Sequence, residues 1–189
     1  MDQATPRLQG WTGRYTGVAQ ALHWLTALFM LAILPVAWVM VTLPRGNDER
    51  ALLFVIHRSI GITIVLIVAA RLAWRATHPA PPRPGDTSRA IQVMGRATHW
   101  VLYALLVVMP VSGYLQSGNG HPVSYFGLFD IPGFAENTTV DAAAEWVHLT
   151  GQWLVYALVA LHVAATAWHV AIRRDGLLSR MLPTQDRRV

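Results

Sequence analysis

The chain contains no cysteine. That excludes a disulfide, a thiolate-bound zinc or an iron–sulfur cluster held by this chain alone. It contains no lysine either: all fifteen basic residues are arginines, set against ten acidic ones. Charge is scarce, at 13% of 189 residues, where a soluble domain carries about a quarter. Hydrophobic residues make up 53%. So little charge beside so much apolar surface points to a bilayer rather than a large soluble core. The length suits one domain, residues 1–189. The arginines flank apolar runs, as residues that set membrane orientation do, so no nucleic-acid partner is expected.

What the chain does have is four long apolar stretches. They run over about 18–43, 51–74, 91–116 and 142–172. Each can supply the roughly 20 residues needed to cross a bilayer. The last exceeds that length and is expected to tilt or to project beyond the lipid. Pro35 and Pro110 lie inside two of the runs, a placement that membrane helices tolerate. The fold class expected is all-α: an integral membrane four-helix bundle.

The connections differ in character. "PRGNDER" is a short polar turn, and "THPAPPRPGDTSR" is proline-rich with no helix signal. "SGNGHPVSYFGLFDIPGFAENTTVD" is rich in glycine and aromatics, lacks arginine, and reads as a cap over one end of the bundle. Arg7, Arg14, Arg71, Arg75, Arg83, Arg89, Arg96, Arg173, Arg174, Arg180, Arg187 and Arg188 fall on one side of the resulting topology. Arg45, Arg50 and Arg58 fall on the other. The positive-inside rule then puts both termini in the cytoplasm, in a multi-pass protein of the bacterial inner membrane. The polar N-terminus "MDQATPRLQGWTGRYTG" is not expected to be a cleavable signal.

Imidazole is costly to bury in hydrocarbon, yet the fourth run carries His148, His162 and His169. Their spacings of 14 and 7 return to within roughly 40° and 20° of one helix face. With the topology above, each histidine acquires a depth. His57 and His148 form an outer pair, His23 and His162 an inner pair, and the pairs stand ~21 Å apart along the fourth helix. Facing neutral imidazoles are a means of holding a planar haem in a bundle core, one axial ligand on each side. Gly61 and Gly151 follow His57 and His148 by one turn and would let a porphyrin approach the backbone. Other readings are a packed histidine bonded to a backbone carbonyl, a zinc site or a proton relay. Against the last two, no acidic residue is expected within the helices near either pair or in the bundle interior.

At this point the order of motifs resembles the bacterial cytochrome b561 family, specifically its small di-haem four-helix members. The matching pieces are "LHWL", "IHRSIGI", "RLAWRATHPAPP", "VHLTGQ", "ALHVAATAWH" and "LLSRMLP", covering about 20–183. The resemblance implies two non-covalent haem b groups ligated by His23 with His162 and by His57 with His148. It also implies single-electron transfer to the quinone pool, in the form of superoxide oxidation to oxygen with ubiquinone as acceptor. The alternative is a cytochrome b subunit that anchors and serves a soluble dehydrogenase or hydrogenase. Partners expected are therefore the bilayer, a quinone, superoxide or another small donor, and a redox protein under the alternative.

Beyond the ligands, several residues are candidates for the chemistry. His99 and His169 sit at the cytoplasmic level, where they could flank the inner haem or a quinone; His169 also competes with His162 as inner ligand. Arg71 and Arg75, one turn apart, suit a propionate or a quinone oxygen as well as they suit membrane anchors. Arg58, directly after His57, suits a propionate or an incoming anion. His78 and His121, beside prolines, read as surface residues. Trp24, Trp74, Trp100, Trp146 and Trp168 read as an interfacial belt.

Overall fold

The structure is a computed structural model that describes residues 13–81 and 88–183. Arg7, Arg83, Arg187 and Arg188, on which the orientation argument partly rests, lie outside these residues, as does most of the N-terminal polar segment. Four long helices carry the fold: α1 (Gly17–Thr42), α2 (Asp48–Thr77), α3 (Arg89–Ser117) and α4 (Thr138–Trp168). All four are long and apolar enough to cross a membrane. They coincide with the four apolar runs, and α2 extends three residues beyond its run at each end because polar "DER" and "RAT" continue the helix.

Local chemistry sets the helix starts. Thr16, Asn47, Ser88 and Asn137 each occupy an N-cap, where a side-chain oxygen accepts a backbone N–H of the first turn. Pro35 and Pro110 lie inside α1 and α3 without ending them. Helix α4 ends differently. Its last turn widens into a π-turn over His169–Arg173, and Arg174 then adopts a left-handed conformation at φ 52° that turns the chain. A short 3₁₀ turn, Leu178–Met181, follows.

The packing order is α1 on α2, α2 on α3 and α3 on α4. Helix α2 is the hub. Its Ile60, Ile64 and Val68, spaced by four, are buried against Phe29, Met30 and Ile33 of α1 and against Tyr103, Leu106 and Val107 of α3. Most other large apolar side chains, such as Leu28, Leu31, Leu66 and Trp153, face outward. That outward apolar surface is what a lipid-facing bundle requires. The seam between α1 and α4 is crossed by a hydrogen bond from Trp38 Nε1 to the Tyr156 hydroxyl, 2.9 Å.

The glycine- and aromatic-rich connection packs on α2 at Ser59 and Thr63, close in sequence to His57. It forms an antiparallel hairpin, β1 (Val123–Tyr125) with β2 (Phe129–Ile131), in which Tyr125 pairs with Phe129. Phe126 and Gly127 both have positive φ at the turn. The strained Phe126 is held because its N–H donates to the buried Ser59 hydroxyl of α2 at 2.7 Å. Tyr125 and Thr63 share a hydroxyl–hydroxyl bond of 3.0 Å, a second pin between hairpin and α2.

Candidate functional site: two histidine pairs along one cavity

A single cavity of about 1940 Å³ runs through the bundle, lined at one end by His57 and His148 and at the other by His23 and His162. Its volume is on the order of twice that of a large small-molecule pocket. Arg58, Arg71, Arg75, His99 and His169 also line it.

At the hairpin end, the rings of His57 on α2 and His148 on α4 face each other with centres 6.1 Å apart and planes at 79°. His148 is fixed from behind: its Nδ1 lies 2.9 Å from the Met109 carbonyl oxygen and 3.2 Å from Ser112 Oγ. An Nδ1–H donated to those acceptors leaves Nε2 with a free lone pair. Gly113 makes the arrangement possible, since a Cβ there would stand 3.0 Å from Cε1 of His148. His57 Nδ1 is buried and has no protein partner. Arg58, next in sequence, turns to the Phe54 ring at 5.5 Å.

At the other end, His23 on α1 and His162 on α4 stand 6.3 Å apart with planes at 66°. It is thus His162 rather than His169 that faces His23. Arg71 reaches this pair: Nη2 lies 3.2 Å from His23 Nδ1 and Nη1 donates to Thr26 Oγ1 at 3.2 Å. The guanidinium also covers the Tyr103 ring at 5.2 Å. Arg75 instead turns to Trp100 at 5.7 Å. His99 of α3 joins the cluster, its ring 5.3 Å from His162 and its Nδ1 against the Gly95 carbonyl.

His169 occupies a separate station on the π-turn. Its Nδ1 is 2.5 Å from Asp175 Oδ2, and Arg173 Nε is 3.4 Å from the same oxygen. Burial alone would raise the Asp175 carboxyl. The hydrogen bonds from His169 and from the Leu177 N–H, with the charges of His169 and Arg173, outweigh that and hold its pKa below the ordinary value. The expectation of no acid near either pair is corrected at Glu145, which stands in α4 one turn before His148 and lines the cavity; Asp175 comes from beyond the apolar run, folded back by the turn at Arg174. Gly61 and Gly151 also approach α3. A Cβ on Gly151 would meet the Met109 sulfur, so that glycine admits α3; one on Gly61 would make ordinary contact with Pro110. His78 stacks on Trp74 and His121 bonds the Asn119 carbonyl; both are exposed.

The two pairs can be tested against a planar metal cofactor. A metal about 2 Å from each of two axial nitrogens, with each ring centre about 1.2 Å behind its nitrogen, separates the centres by about 6.4 Å. The observed 6.1 and 6.3 Å agree. Among the described residues no group of three or more His, Asp or Glu converges in the manner that a bare metal ion needs. Each centre offers two imidazoles across a gap inside a large apolar cavity, which fits a haem.

Residues 14–184 match the family model described as prokaryotic cytochrome b561. Among curated proteins, the chain is 33% identical over 175 residues to "Cytochrome b561 homolog 2" of Escherichia coli (strain K12), covering 89% of this chain and 91% of that one. It is 29% identical over 176 residues to "Probable superoxide oxidase CybB" of Yersinia pestis, covering 90% and 96%. It is 27% identical over 175 residues to "Cytochrome b561 homolog 1" of Escherichia coli (strain K12), covering 90% and 97%. The chain belongs to the prokaryotic cytochrome b561 family. It is a membrane electron-transfer protein of a family that implies haem b.

Proposed function

We propose that this member of the prokaryotic cytochrome b561 family holds two haem b groups and passes single electrons to the quinone pool, with superoxide as donor and ubiquinone as acceptor. The observation that carries the reading is the recurrence of one spacing, 6.1 and 6.3 Å, at two histidine pairs along one cavity. His57 with His148 and His23 with His162 would hold the two haem irons. A bound haem supplies an iron that alternates between ferric and ferrous, so charge moves one electron at a time. Two superoxide anions yield two oxygen molecules, and the two electrons with two protons convert ubiquinone to ubiquinol.

The protein's own residues do the rest. Met109, Ser112 and Gly113 orient His148 so that Nε2 faces the gap. The Arg58 guanidinium beside His57 supplies positive potential that draws an anionic donor. His99 and His169, the latter paired with Asp175, deliver protons at the opposite end. Both termini lie in the cytoplasm and the protein resides in the inner membrane, as the arginine distribution suggests. The printed name of the Yersinia pestis relative supports superoxide as donor.

Purified protein reconstituted with ubiquinone and supplied with enzymatically generated superoxide tests this reading. Ubiquinol formation without any added protein partner is expected. Haem reduction by a soluble dehydrogenase but not by superoxide would instead support a subunit role.

A further inference from the structure

The two pairs share a spacing, but their second nitrogens meet opposite chemistry. His148 Nδ1 faces acceptors, the Met109 carbonyl and the Ser112 hydroxyl. An N–H donated to a carbonyl makes the imidazole a stronger electron donor through its other nitrogen. His23 Nδ1 instead faces Nη2 of Arg71 at 3.2 Å. A guanidinium carries five donors and no acceptor, and it keeps its charge. Thr26 Oγ1 and the Tyr103 ring hold it there.

Arg58 also places positive charge near His57, but Arg71 is the arginine that stands within hydrogen-bond distance of an imidazole nitrogen of a pair, at 3.2 Å. Arg75, near the same end, is turned to Trp100, and His99 lies beside His162. At the hairpin end Arg58 and Arg50 both turn to the Phe54 ring, at 5.5 and 5.1 Å, rather than to an imidazole nitrogen. One centre therefore has a ligand strengthened by a carbonyl, and the other has a cation within hydrogen-bond distance of its ligand.

Resting on the bis-imidazole reading above, we propose that Arg71 makes the His23–His162 centre the electron-accepting end of the protein, by raising its reduction potential above that of the His57–His148 centre. Adding an electron to a ferric centre adds negative charge, which a nearby cation stabilises and a stronger axial donor opposes. A His23 that held a haem iron through Nε2 would carry its proton on Nδ1 and could not accept from Arg71, so the guanidinium, kept nearby by Thr26 and Tyr103, would act through charge and not through a hydrogen bond. Electrons then run downhill toward the end of the bundle where His99, His169 and Asp175 stand. Arg71 is a positioning and tuning residue, not a ligand.

Spectropotentiometric titration of the purified holoprotein and its Arg71→Gln variant tests this. The parent is expected to show two waves. In the variant the upper wave falls by at least tenfold in its reduction equilibrium, about 59 mV for one electron, while the lower wave stays. Arg71→Lys, which keeps the charge, retains most of the upper potential. If Arg71→Gln does not retain its haem, the single-centre proteins decide: His148→Ala should keep the upper wave and His23→Ala the lower. The reverse assignment, or an unmoved upper wave in Arg71→Gln with both haems present, overturns the proposal. Retention of both haems in His23→Ala would overturn the ligand reading beneath it.

Discussion

Gly113 of α3 and His148 of α4 are in close contact: a Cβ at 113 would lie 3.0 Å from the imidazole Cε1, so a side chain there would push the ring back. The bare glycine leaves the ring room to reach the Met109 carbonyl at 2.9 Å.

Gly113→Leu is therefore expected to displace His148 and abolish haem at that centre while sparing the other. Gly113→Ala, at the limit of contact, should cost about 1–3 kcal/mol of overpacking and weaken haem retention. Haem per polypeptide measures both. Two haems retained in Gly113→Leu would show that the His148 position does not matter to cofactor binding.

The hairpin supplies a prediction confined to stability. Ser59→Ala removes the acceptor for the Phe126 N–H, leaving that part-buried group without its protein partner. A loss of about 1–3 kcal/mol is expected, read as a lower midpoint of thermal unfolding in detergent with haem content unchanged. An unchanged midpoint would mean that the pin to α2 contributes nothing.

The Asp175 carboxyl gives a pH dependence with a definite sign. Its pKa is lower in the fold than in the unfolded chain, so its contribution is present above the ordinary carboxylate value of 3.8 and is lost as pH falls below it. Asp175→Asn should therefore destabilise the protein at neutral pH, and parent and variant should converge as the medium is acidified below that value. A difference that persists undiminished in acid would assign the effect to shape rather than charge.

Replacing both proton-carrying candidates, as His99→Gln with His169→Gln, is expected to slow ubiquinol formation by about 10²-fold or more, the scale of general acid–base catalysis. Reduction of the haems by superoxide should be unaffected. Unchanged ubiquinol formation would remove both histidines from the proton path.

Much of this architecture was legible in the sequence, for identifiable reasons. Four apolar runs with polar breaks define the helices because hydrocarbon demands continuous intrahelical bonding. His148 and His162 could be placed on one stripe because whole heptads nearly return to the same face. What escaped was whatever depends on rotation between helices or on chain reversal. Nothing in "GRATHW" says that His99 turns toward His162, because that orientation is set by how α3 packs on α4. Asp175 lies past the apolar run, and only the π-turn with Arg174 in the left-handed region folds it back onto His169. That Met109 of α3 presses its sulfur against Gly151 is likewise set by helix packing, not by local sequence. The strands VSY and FDI are too short for alternation to be read, and Phe126 takes a positive φ with no glycine to announce it.

The measurement that bears most directly on the central claim is haem per polypeptide in detergent-purified protein, made alongside His57→Ala and His162→Ala. Two haems in the parent, with each variant losing a different one, are expected from two independent imidazole pairs. A single haem in the parent, or the same haem lost in both variants, would contradict the paired-centre account.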